Sequence, residues 1–395
     1  MQFRKDRTGR EISVLGYGCM RFSRQGSGID QEKAERELLC AIELGVNYLD
    51  TAYIYPGSEA CLGEILERNH LRDKVLIATK LPQYMIKSLD GVERYFREQL
   101  QRLRTDHIDY YLMHMLTDVR AWQQLRALGI EDWLAEKQRT GAIGQVGFSF
   151  HGNTDMFLQI LEQRDWDFCQ IQYNYMDENS QAGRKGLQAA AARGIPVMIM
   201  EPLRGGKLVN LLPGQAQQVL EGSSAASLAF RWLWDQPEVT CVLSGMNSLE
   251  MVEENCRTAD SAVPGCLSEA ERGKLEALRT LIQEKLRIGC TGCGYCMPCP
   301  SGVDIPTAFR CYNEMAMESK SAGRHEYFQV AALRRQPVFP SQCVGCVKCE
   351  RHCPQHLPII QTLKEADRAL LPPVYRIASA VARKWLFRKD RKEKE

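Results

Sequence analysis

The sequence predicts an α/β protein in which a (β/α)8 TIM barrel is followed by a smaller, mostly α-helical domain. Short apolar runs alternate with amphipathic stretches over residues 12–255, which is typical of parallel strands joined by crossover helices. The chain of 395 residues exceeds what one hydrophobic core usually organises. Nine of the 16 cysteines fall between positions 290 and 353, so the second domain is expected to contain them.

The barrel prediction depends on eight apolar runs expected to form its strands. These runs cover residues 12–15, 46–50, 75–80, 108–114, 143–149, 168–173, 197–200 and 239–244, with helical patterns such as 31–44, 92–103 and 226–234 between them. About 250 residues is the usual size of a (β/α)8 barrel. A doubly wound sheet is the weaker alternative, because no GxGxxG motif follows the first strand.

Three of the runs end in an abrupt polar residue. Asp50 closes VNYLD, Lys80 closes VLIATK and His114 closes IDYYLMH, while Tyr55 follows Asp50 on the loop that leaves the same strand. In a (β/α)8 barrel, the C-terminal ends of all strands lie on one face, where catalytic groups sit. We therefore expect these four side chains at one mouth.

We expect these four residues to work together as a proton donor. A phenol with a pKa near 10 protonates an alkoxide poorly at neutral pH, and a nearby ammonium group lowers that pKa. Lys80 is expected to act in this way on Tyr55, with Asp50 holding the lysine in place. His114 is expected to orient a carbonyl oxygen. The implied reaction is hydride delivery to a carbonyl carbon, with a proton from Tyr55.

The motifs LDTAYIY, IATK and DYYLMH, which contain Asp50, Tyr55, Lys80 and His114, resemble the Asp-Tyr-Lys-His tetrad of the aldo-keto reductases. The resemblance runs from the hairpin-like opening MQFRKDRTGREISVLGYGCMR to about Asn255. It implies an NAD(P)H-dependent oxidoreductase that reduces an aldehyde or a ketone to an alcohol. Two alternatives are an electron-transfer subunit, whose barrel only binds nucleotide or a partner, and a non-enzymatic regulatory protein.

The same resemblance implies a site for NADP or NAD. Its predicted contacts are Met20, Asp50, Ser149, Gln170, Leu203, Gly205, Gly206, Gly245, Asn247, Glu254 and Asn255. Glycines 205 and 206 allow the backbone to approach a phosphate, and the last barrel helix begins near Asn247 with unpaired N–H groups. In many members of the family, basic side chains bind the 2′-phosphate of NADPH. The corresponding positions here are Gly245 and Met251, so the sequence does not decide between NADPH and NADH.

Two blocks of cysteines follow the barrel, and each ends in Cys-Pro. Their members are Cys290, Cys293, Cys296 and Cys299, and then Cys343, Cys346, Cys349 and Cys353. Repeated CxxC steps predict two 4Fe-4S clusters in a ferredoxin-like domain, so the whole chain resembles the aldo-keto reductases with a C-terminal ferredoxin-type domain.

In two-cluster ferredoxins the fourth cysteine of each block ligates the other cluster. That arrangement would pair the first three cysteines of one block with Cys353, and the first three of the other with Cys299. Two zinc sites are the weaker alternative, since zinc ribbons separate their cysteine pairs by a longer gap. Cys311 lies between the blocks without a partner spacing and is expected to be a packed thiol.

These patterns predict a barrel over residues 1–270, a linker helix over 271–289, a dicluster domain over 290–375 and a basic tail over 376–395. In the tail, Ile377, Val381 and Trp385 fall at helical spacing among basic residues: Arg383, Lys384, Arg388, Lys389, Arg391, Lys392 and Lys394. A solvated tail is the simpler interpretation. Docking on an anionic membrane surface or on a partner is the alternative.

Composition excludes several classes of protein. The formal charge is only +2 and basic residues are dispersed, which argues against a nucleic-acid binder. No stretch reaches eighteen apolar residues and the first ten residues are polar, so neither a transmembrane segment nor a signal peptide is expected. Metal-bound, reduced cysteines suit the cytoplasm.

The expected partners are a small-molecule carbonyl substrate and, if the clusters exchange electrons, a redox protein. Met20, Tyr84, Trp122 and Trp133 are candidates for the walls of the substrate pocket. Nicotinamide passes two electrons as a hydride whereas a cluster normally passes one, so the clusters are expected to serve structure, regulation or electron exchange with a partner.

Overall fold

A computed structural model describes residues 1–26, 28–290, 292, 294–334, 336–353 and 355–386. The chain divides into two compact units. Unit 1 comprises Met1–Tyr175, Ala182–Leu208 and Gly222–Leu275, and unit 2 comprises Met176–Gln181, Val209–Glu221 and Glu276–Glu395. Two short segments that follow strands of the first unit are therefore part of the second.

Unit 1 is built around a closed barrel of eight parallel strands, which confirms the predicted fold. In chain order the barrel strands are β3 (Leu15–Gly18), β6 (Tyr48–Asp50), β7 (Leu76–Leu81), β8 (Ile108–Leu116), β9 (Ile143–Phe150), β10 (Phe168–Gln172), β11 (Val197–Met200) and β12 (Val239–Ser244). Each strand pairs with its neighbours in sequence, and β12 pairs with β3 to close the ring.

The first predicted strand, at residues 12–15, was wrong in its position. Strand β2 (Glu11–Ser13) pairs antiparallel with β1 (Phe3–Lys5), and the barrel begins only at Leu15. Ile12 is fully buried in one cluster with the strand residues Tyr48 and Phe168, so its apolar side chain fills the barrel floor from the hairpin. A second hairpin pairs β4 (Arg24–Gln25) with β5 (Gly28–Ile29).

Helices alternate with the barrel strands. They are α1 (Gln31–Glu43), α2 (Ser58–Arg68), α3 (Leu89–Leu103), α4 (Val119–Ala127), α5 (Ile130–Arg139), α6 (Thr154–Leu161), α7 (Gly183–Ala192), α8 (Lys207–Asn210), α9 (Ala216–Leu220), α10 (Ala225–Trp234), α11 (Leu249–Ala259) and α12 (Glu269–Gln283). Polar N-caps mark several starts. Ser248, for example, accepts a hydrogen bond from the backbone N–H of Met251 at the start of α11.

Unit 2 is helical in its described residues. Besides α9 and the second half of α12, its helices are α13 (Ile305–Met317), α14 (Lys320–Tyr327), α15 (Lys348–Arg351), α16 (Ile359–Leu370) and α17 (Pro373–Leu386). Phe309, Tyr327 and Leu363 are buried in a core of this unit's own. Asp304 caps α13 and also accepts a hydrogen bond from Arg334 at 2.8 Å.

No helix in the described part of the chain is both long enough and apolar enough to span a lipid bilayer.

Candidate active site and cluster site

The C-terminal ends of three adjacent strands bring Asp50, Lys80 and His114 together. All three side chains are buried. Lys80 Nζ donates to Asp50 Oδ1 at 2.6 Å and to the carbonyl oxygen of Thr51 at 2.7 Å. The ammonium group is thus fixed between a carboxylate and a backbone acceptor.

Tyr55 lies beside this group, in the turn between β6 and α2. Lys80 Nζ is 5.3 Å from the centroid of the Tyr55 ring. The rings of Tyr55 and His114 meet edge-on, with centroids 6.1 Å apart at 85°. The structure therefore places all four predicted catalytic residues at one end of the barrel.

The Tyr55 phenol has a raised pKa, not the lowered one expected from Lys80. Burial is the largest cause, and the charges of Asp50 and Glu201 act in the same direction, whereas Arg21 opposes them. Desolvation penalises the tyrosinate, and the lysine charge is already compensated by its carboxylate partner. Tyr55 therefore holds its proton at neutral pH.

The His114 imidazole is neutral at neutral pH. Burial lowers its pKa well below the usual value, and the nearby Lys80 and His151 lower it further. Nδ1 of His114 has no hydrogen-bond partner among the described residues. A neutral imidazole carries one N–H donor, so this side chain can orient an acceptor oxygen without giving up a charge.

Asp50 and Gln170 each leave a buried oxygen without a hydrogen-bond partner in the described residues, namely Oδ2 and Oε1. Burial raises the pKa of Asp50, and Lys80 opposes that effect. Buried polar atoms are normally satisfied, so unpaired atoms in a pocket indicate a place for ligand groups.

A second layer of polar side chains holds the strand that carries Lys80. Gln99 Nε2 donates to the Lys80 carbonyl oxygen at 3.2 Å and to Glu59 Oε1 at 2.9 Å. Thr79 Oγ1 donates to the same Glu59 oxygen at 2.7 Å. The sequence analysis missed this network, whose only signal was polar residues on the apolar faces of α2 and α3.

Two predicted nucleotide contacts lie side by side on neighbouring strands. Ser149 on β9 is directly opposite Gln170 on β10, and both are buried. Ser149 Oγ accepts a hydrogen bond from the Met115 backbone N–H at 2.8 Å. Both side chains lie near Asp50 and His114, so a planar ligand ring would fit across this end of the barrel.

The loop after β11 has an unusual backbone. Glu201, Arg204, Gly205 and Gly206 all have positive φ, at 54°, 49°, 68° and 93°. Such conformations are costly for residues other than glycine and cluster at ligand sites. The loop, which also contains the predicted contact Leu203, is thus shaped to present backbone rather than side chains.

The remaining predicted contacts lie around β12 and α11. Gly245, Asn247 and Glu254 are exposed, whereas Asn255 is buried and donates through Nδ2 to Ser244 Oγ at 3.3 Å. These positions surround the N-terminal end of α11, where unpaired backbone N–H groups favour an anion.

Arg21 is a residue that the sequence analysis missed. A Cβ atom at Gly205 would lie 2.9 Å from Arg21 Nη2, and one at Gly245 would lie 2.5 Å from Arg21 Cγ. The exposed cation thus covers both glycine positions, beside the exposed Met20. Its signal in the sequence was a basic residue just after the first barrel strand.

Two tryptophans expected in the pocket wall lie elsewhere. Trp122 is fully buried against Trp166, with ring centroids 4.8 Å apart. Trp133 packs edge-on against Phe96 and donates to Glu93 Oε2 at 2.8 Å. Both lie in the layer between helices and strands, because their large apolar rings are more stable there.

In unit 2, cysteines from both predicted blocks line one cavity. Cys290, Cys296 and Cys353 line a small cavity whose apolar walls include Phe309 and Ile359. A Cβ atom at Gly292, where φ is +70°, would lie 3.3 Å from the carbonyl oxygen of Asn179. A site lined by thiols and apolar side chains fits an iron-sulfur cluster.

The other predicted cluster ligands differ in how exposed they are. Cys299, Cys343 and Cys349 are partly buried against the core of unit 2, and Cys346 is exposed. Burial raises the pKa of Cys349, with Cys343 acting in the same direction. Cys293 lies outside the described residues. Cys311 is fully buried in the core.

Within the described residues, no group of three or more His, Cys, Asp or Glu side chains is placed to hold a single metal ion.

Comparison with known proteins gives two family matches. The model of the Aldo/keto reductase family matches residues 14–264, and that of a 4Fe-4S dicluster domain matches residues 289–357. The first match covers more than half of the chain and the whole barrel except its opening hairpin.

Individual relatives agree with the first match. The uncharacterized oxidoreductase YrpG of Bacillus subtilis is 25% identical in an alignment of 301 positions that covers 64% of this chain and 89% of YrpG. L-galactose dehydrogenase of Arabidopsis thaliana is 25% identical in an alignment of 276 positions that covers 63% of this chain and 84% of the enzyme.

Solved structures agree as well. The holo form of an aldo-keto reductase from Bacillus halodurans has a TM-score of 0.58 at 26% identity, covering 70% of this chain and 96% of its own. An aldo-keto reductase from Klebsiella pneumoniae in complex with NADPH has a TM-score of 0.58 at 22% identity, covering 71% and 96%.

Proposed function

This chain belongs to the aldo/keto reductase family, and we propose that it reduces an aldehyde or a ketone to an alcohol with Tyr55 as the proton donor. It is an NAD(P)H-dependent oxidoreductase with a 4Fe-4S domain. The observation that carries the proposal is the meeting of Tyr55, Lys80 and His114 at one end of the barrel.

Each of these residues has a separate task in the proposed reaction. Bound nicotinamide supplies the hydride. The Tyr55 phenol, protonated at neutral pH, gives its proton to the carbonyl oxygen, while the neutral His114 donates a hydrogen bond to the same oxygen. Lys80, held by Asp50 with its Nζ 5.3 Å from the centroid of the Tyr55 ring, would offset part of the cost of the phenolate that remains.

The cofactor is proposed to be NADP or NAD. The positive φ angles at Gly205 and Gly206 would let the backbone approach the phosphates, and the Arg21 cation would face them. The unpaired Gln170 Oε1 would accept a hydrogen bond from the carboxamide. The Klebsiella pneumoniae aldo-keto reductase of the same fold was solved in complex with NADPH, which agrees with a cofactor of this class.

The test is a Tyr55→Phe variant assayed against a panel of aldehydes and ketones with NADPH and NADH. We expect kcat to fall by roughly 10²–10⁴-fold, because the proton donor is removed, while nucleotide affinity stays unchanged. Tyr53→Phe is a matched control, since that hydroxyl donates to Glu98 Oε2 at 2.6 Å. Unchanged turnover in Tyr55→Phe would contradict the proposal.

A second candidate function rests on the cavity lined by Cys290, Cys296 and Cys353. We propose two 4Fe-4S clusters, ligated by the eight cysteines of the two blocks, that serve structure, regulation or electron exchange with a redox protein. If the barrel only binds nucleotide, the protein is an electron-transfer subunit. In that case, no carbonyl in the panel would be reduced, although nucleotide would still bind.

A further inference from the structure

The helix α17 has an apolar stripe on its outward face. Val374, Ile377, Val381 and Trp385 are 74%, 65%, 62% and 72% exposed. Steps of three and four residues place them in one line along the helix. A surface helix normally turns such a stripe toward the core, so the orientation of α17 is reversed.

Polar contacts hold the helix in this orientation. Arg376 pairs with Asp367 and donates through Nε to the Leu371 carbonyl oxygen at 3.0 Å. Arg383 donates to the Ala332 carbonyl oxygen and lies 5.0 Å from the centroid of the Phe339 ring. Rotating α17 to bury its stripe would break these contacts.

Aromatic packing and a buried hydroxyl complete the inner face. Tyr375 meets Phe328 edge-on, with centroids 6.2 Å apart. Ser379 is fully buried and donates to the Arg376 carbonyl oxygen at 2.9 Å. The two faces of the helix therefore have opposite character, with the polar groups inside.

The described helix α17 carries three basic residues and no acidic one. Arg376 and Arg383 lie on its inner face, whereas Lys384 is exposed beside the stripe. After the described residues, the sequence adds five basic residues, Arg388, Lys389, Arg391, Lys392 and Lys394, and three acidic ones, Asp390, Glu393 and Glu395. A surface that binds here must therefore be both apolar and anionic.

We propose that α17 is an interfacial anchor whose apolar stripe inserts into the headgroup region of an anionic phospholipid bilayer. Amphipathic helices with basic residues and an interfacial tryptophan bind such surfaces reversibly. Lys384 would face the lipid phosphates, and the net positive charge of the sequence after it would add to the attraction.

A second copy of the chain is a poorer occupant of this surface. A symmetric contact would set the cations of one copy against those of the other. Four side chains on one helix also fall well short of the roughly 20–30 residues per side of a stable interface.

The experiment uses the full-length protein, purified anaerobically with its clusters, and two kinds of vesicle. One is pure phosphatidylcholine, and the other contains about 30% phosphatidylglycerol. We expect co-sedimentation with the anionic vesicles only, falling several-fold as salt rises from about 50 to 500 mM. Binding to both vesicles alike, or to neither, would overturn the proposal.

Tryptophan fluorescence gives a second readout. Trp385 is 72% exposed, whereas the other five tryptophans, Trp122, Trp133, Trp166, Trp232 and Trp234, are at most 9% exposed. Anionic vesicles with brominated acyl chains should therefore quench Trp385 selectively. Co-sedimentation without quenching would show that the stripe stays outside the bilayer and would overturn the insertion.

Two variants test which side chains act. Val381→Gln with Trp385→Gln should lower the vesicle partition coefficient by about tenfold or more, since two apolar side chains no longer leave water. The matched control is Leu44→Gln with Val263→Gln, two barrel residues that are 42% and 48% exposed. Both variants should keep wild-type reductase activity and iron content, so the result is independent of the proposed catalysis.

The same variants address self-association. If α17 instead binds a second copy, wild-type protein without vesicles should dimerise in sedimentation velocity and the Val381/Trp385 variant should not. That outcome would overturn the lipid assignment.

Discussion

The Lys80–Asp50 ion pair is the residue-scale feature on which the site depends most. Both groups are buried, and their separation is 2.6 Å. Attraction between buried charges offsets their desolvation only while both partners are present. The ion pair therefore holds the Lys80 ammonium group in place beside Tyr55.

We predict that Asp50→Asn lowers the free energy of unfolding by about 3 kcal/mol, because it leaves a buried ammonium without a counter-charge. Carbonyl reduction should fall as well. Urea unfolding measures the first effect and steady-state kinetics the second. Glu131→Gln, which removes the exposed pair with Arg126, should change stability by less than about 0.5 kcal/mol. A similar loss in both variants would contradict the special role of the buried pair.

His114 predicts a specific pH dependence of stability. Its pKa in the folded protein is well below its value in the unfolded chain, near 6.5. As the pH falls below about 6.5, the unfolded chain takes up a proton that the folded protein does not, so the folded protein loses stability.

The measurement is the difference in unfolding free energy between wild type and His114→Gln over this pH range. Relative to the variant, wild type should lose up to about 1.4 kcal/mol per pH unit as the pH falls below 6.5. A flat difference would mean that the imidazole titrates normally in the folded protein. Between pH 7 and 8, the two proteins should differ by a constant amount.

At the scale of elements, the loop of residues 201–206 shows how backbone shape and site are connected. Positive φ at four of its six positions gives this loop a backbone that residues other than glycine adopt only with strain. Glycine has no such penalty, and a side chain at position 205 would require the flexible end of Arg21 to move.

We predict that Gly205→Ala lowers stability by about 1–2 kcal/mol, because an alanine at a φ of +68° is strained and its methyl group displaces Arg21. Nucleotide affinity, measured by fluorescence titration, should fall several-fold. Gly214→Ala is the matched control, since that glycine lies outside the left-handed region and has no atom within 4 Å of an added Cβ. Equal affinity in both variants would place the phosphates elsewhere.

At the scale of the molecule, two units with separate cores carry two kinds of chemistry. The match to a 4Fe-4S dicluster domain covers residues 289–357, all within unit 2. If clusters link cysteines from both blocks, each cluster also ties together segments that are about fifty residues apart. Loss of one cysteine ligand should then lower the stability of the whole of unit 2.

We predict that anaerobically purified protein contains about eight iron atoms per chain, and that Cys353→Ser lowers this by about half. Iron analysis and visible absorbance measure the change. Thermal unfolding of unit 2 should shift downward, while the barrel should retain its nucleotide affinity. Cys40→Ser, at a half-buried cysteine of the barrel, is the control and should keep full iron content. Colourless, iron-free wild-type protein would contradict the prediction.

The sequence was sufficient for the barrel and for the candidate catalytic residues. Strict alternation of apolar runs and helical patterns has one common solution at this length, and polar residues at strand ends necessarily share a face. The prediction was wrong for the strand at residues 12–15. A short apolar segment such as this one suits a hairpin that fills the barrel floor as well as it suits a barrel strand.

The order of apolar runs, the residues ending them and the spacing of the cysteines thus determined the fold and the chemical groups available, because these properties are local in the chain. Only the tertiary structure decided how those groups behave. Burial reversed the expected pKa shift of Tyr55, and Arg21 came to lie over two distant glycines. Desolvation and contacts between remote segments exist only once the chain is packed, so no local pattern could have revealed them.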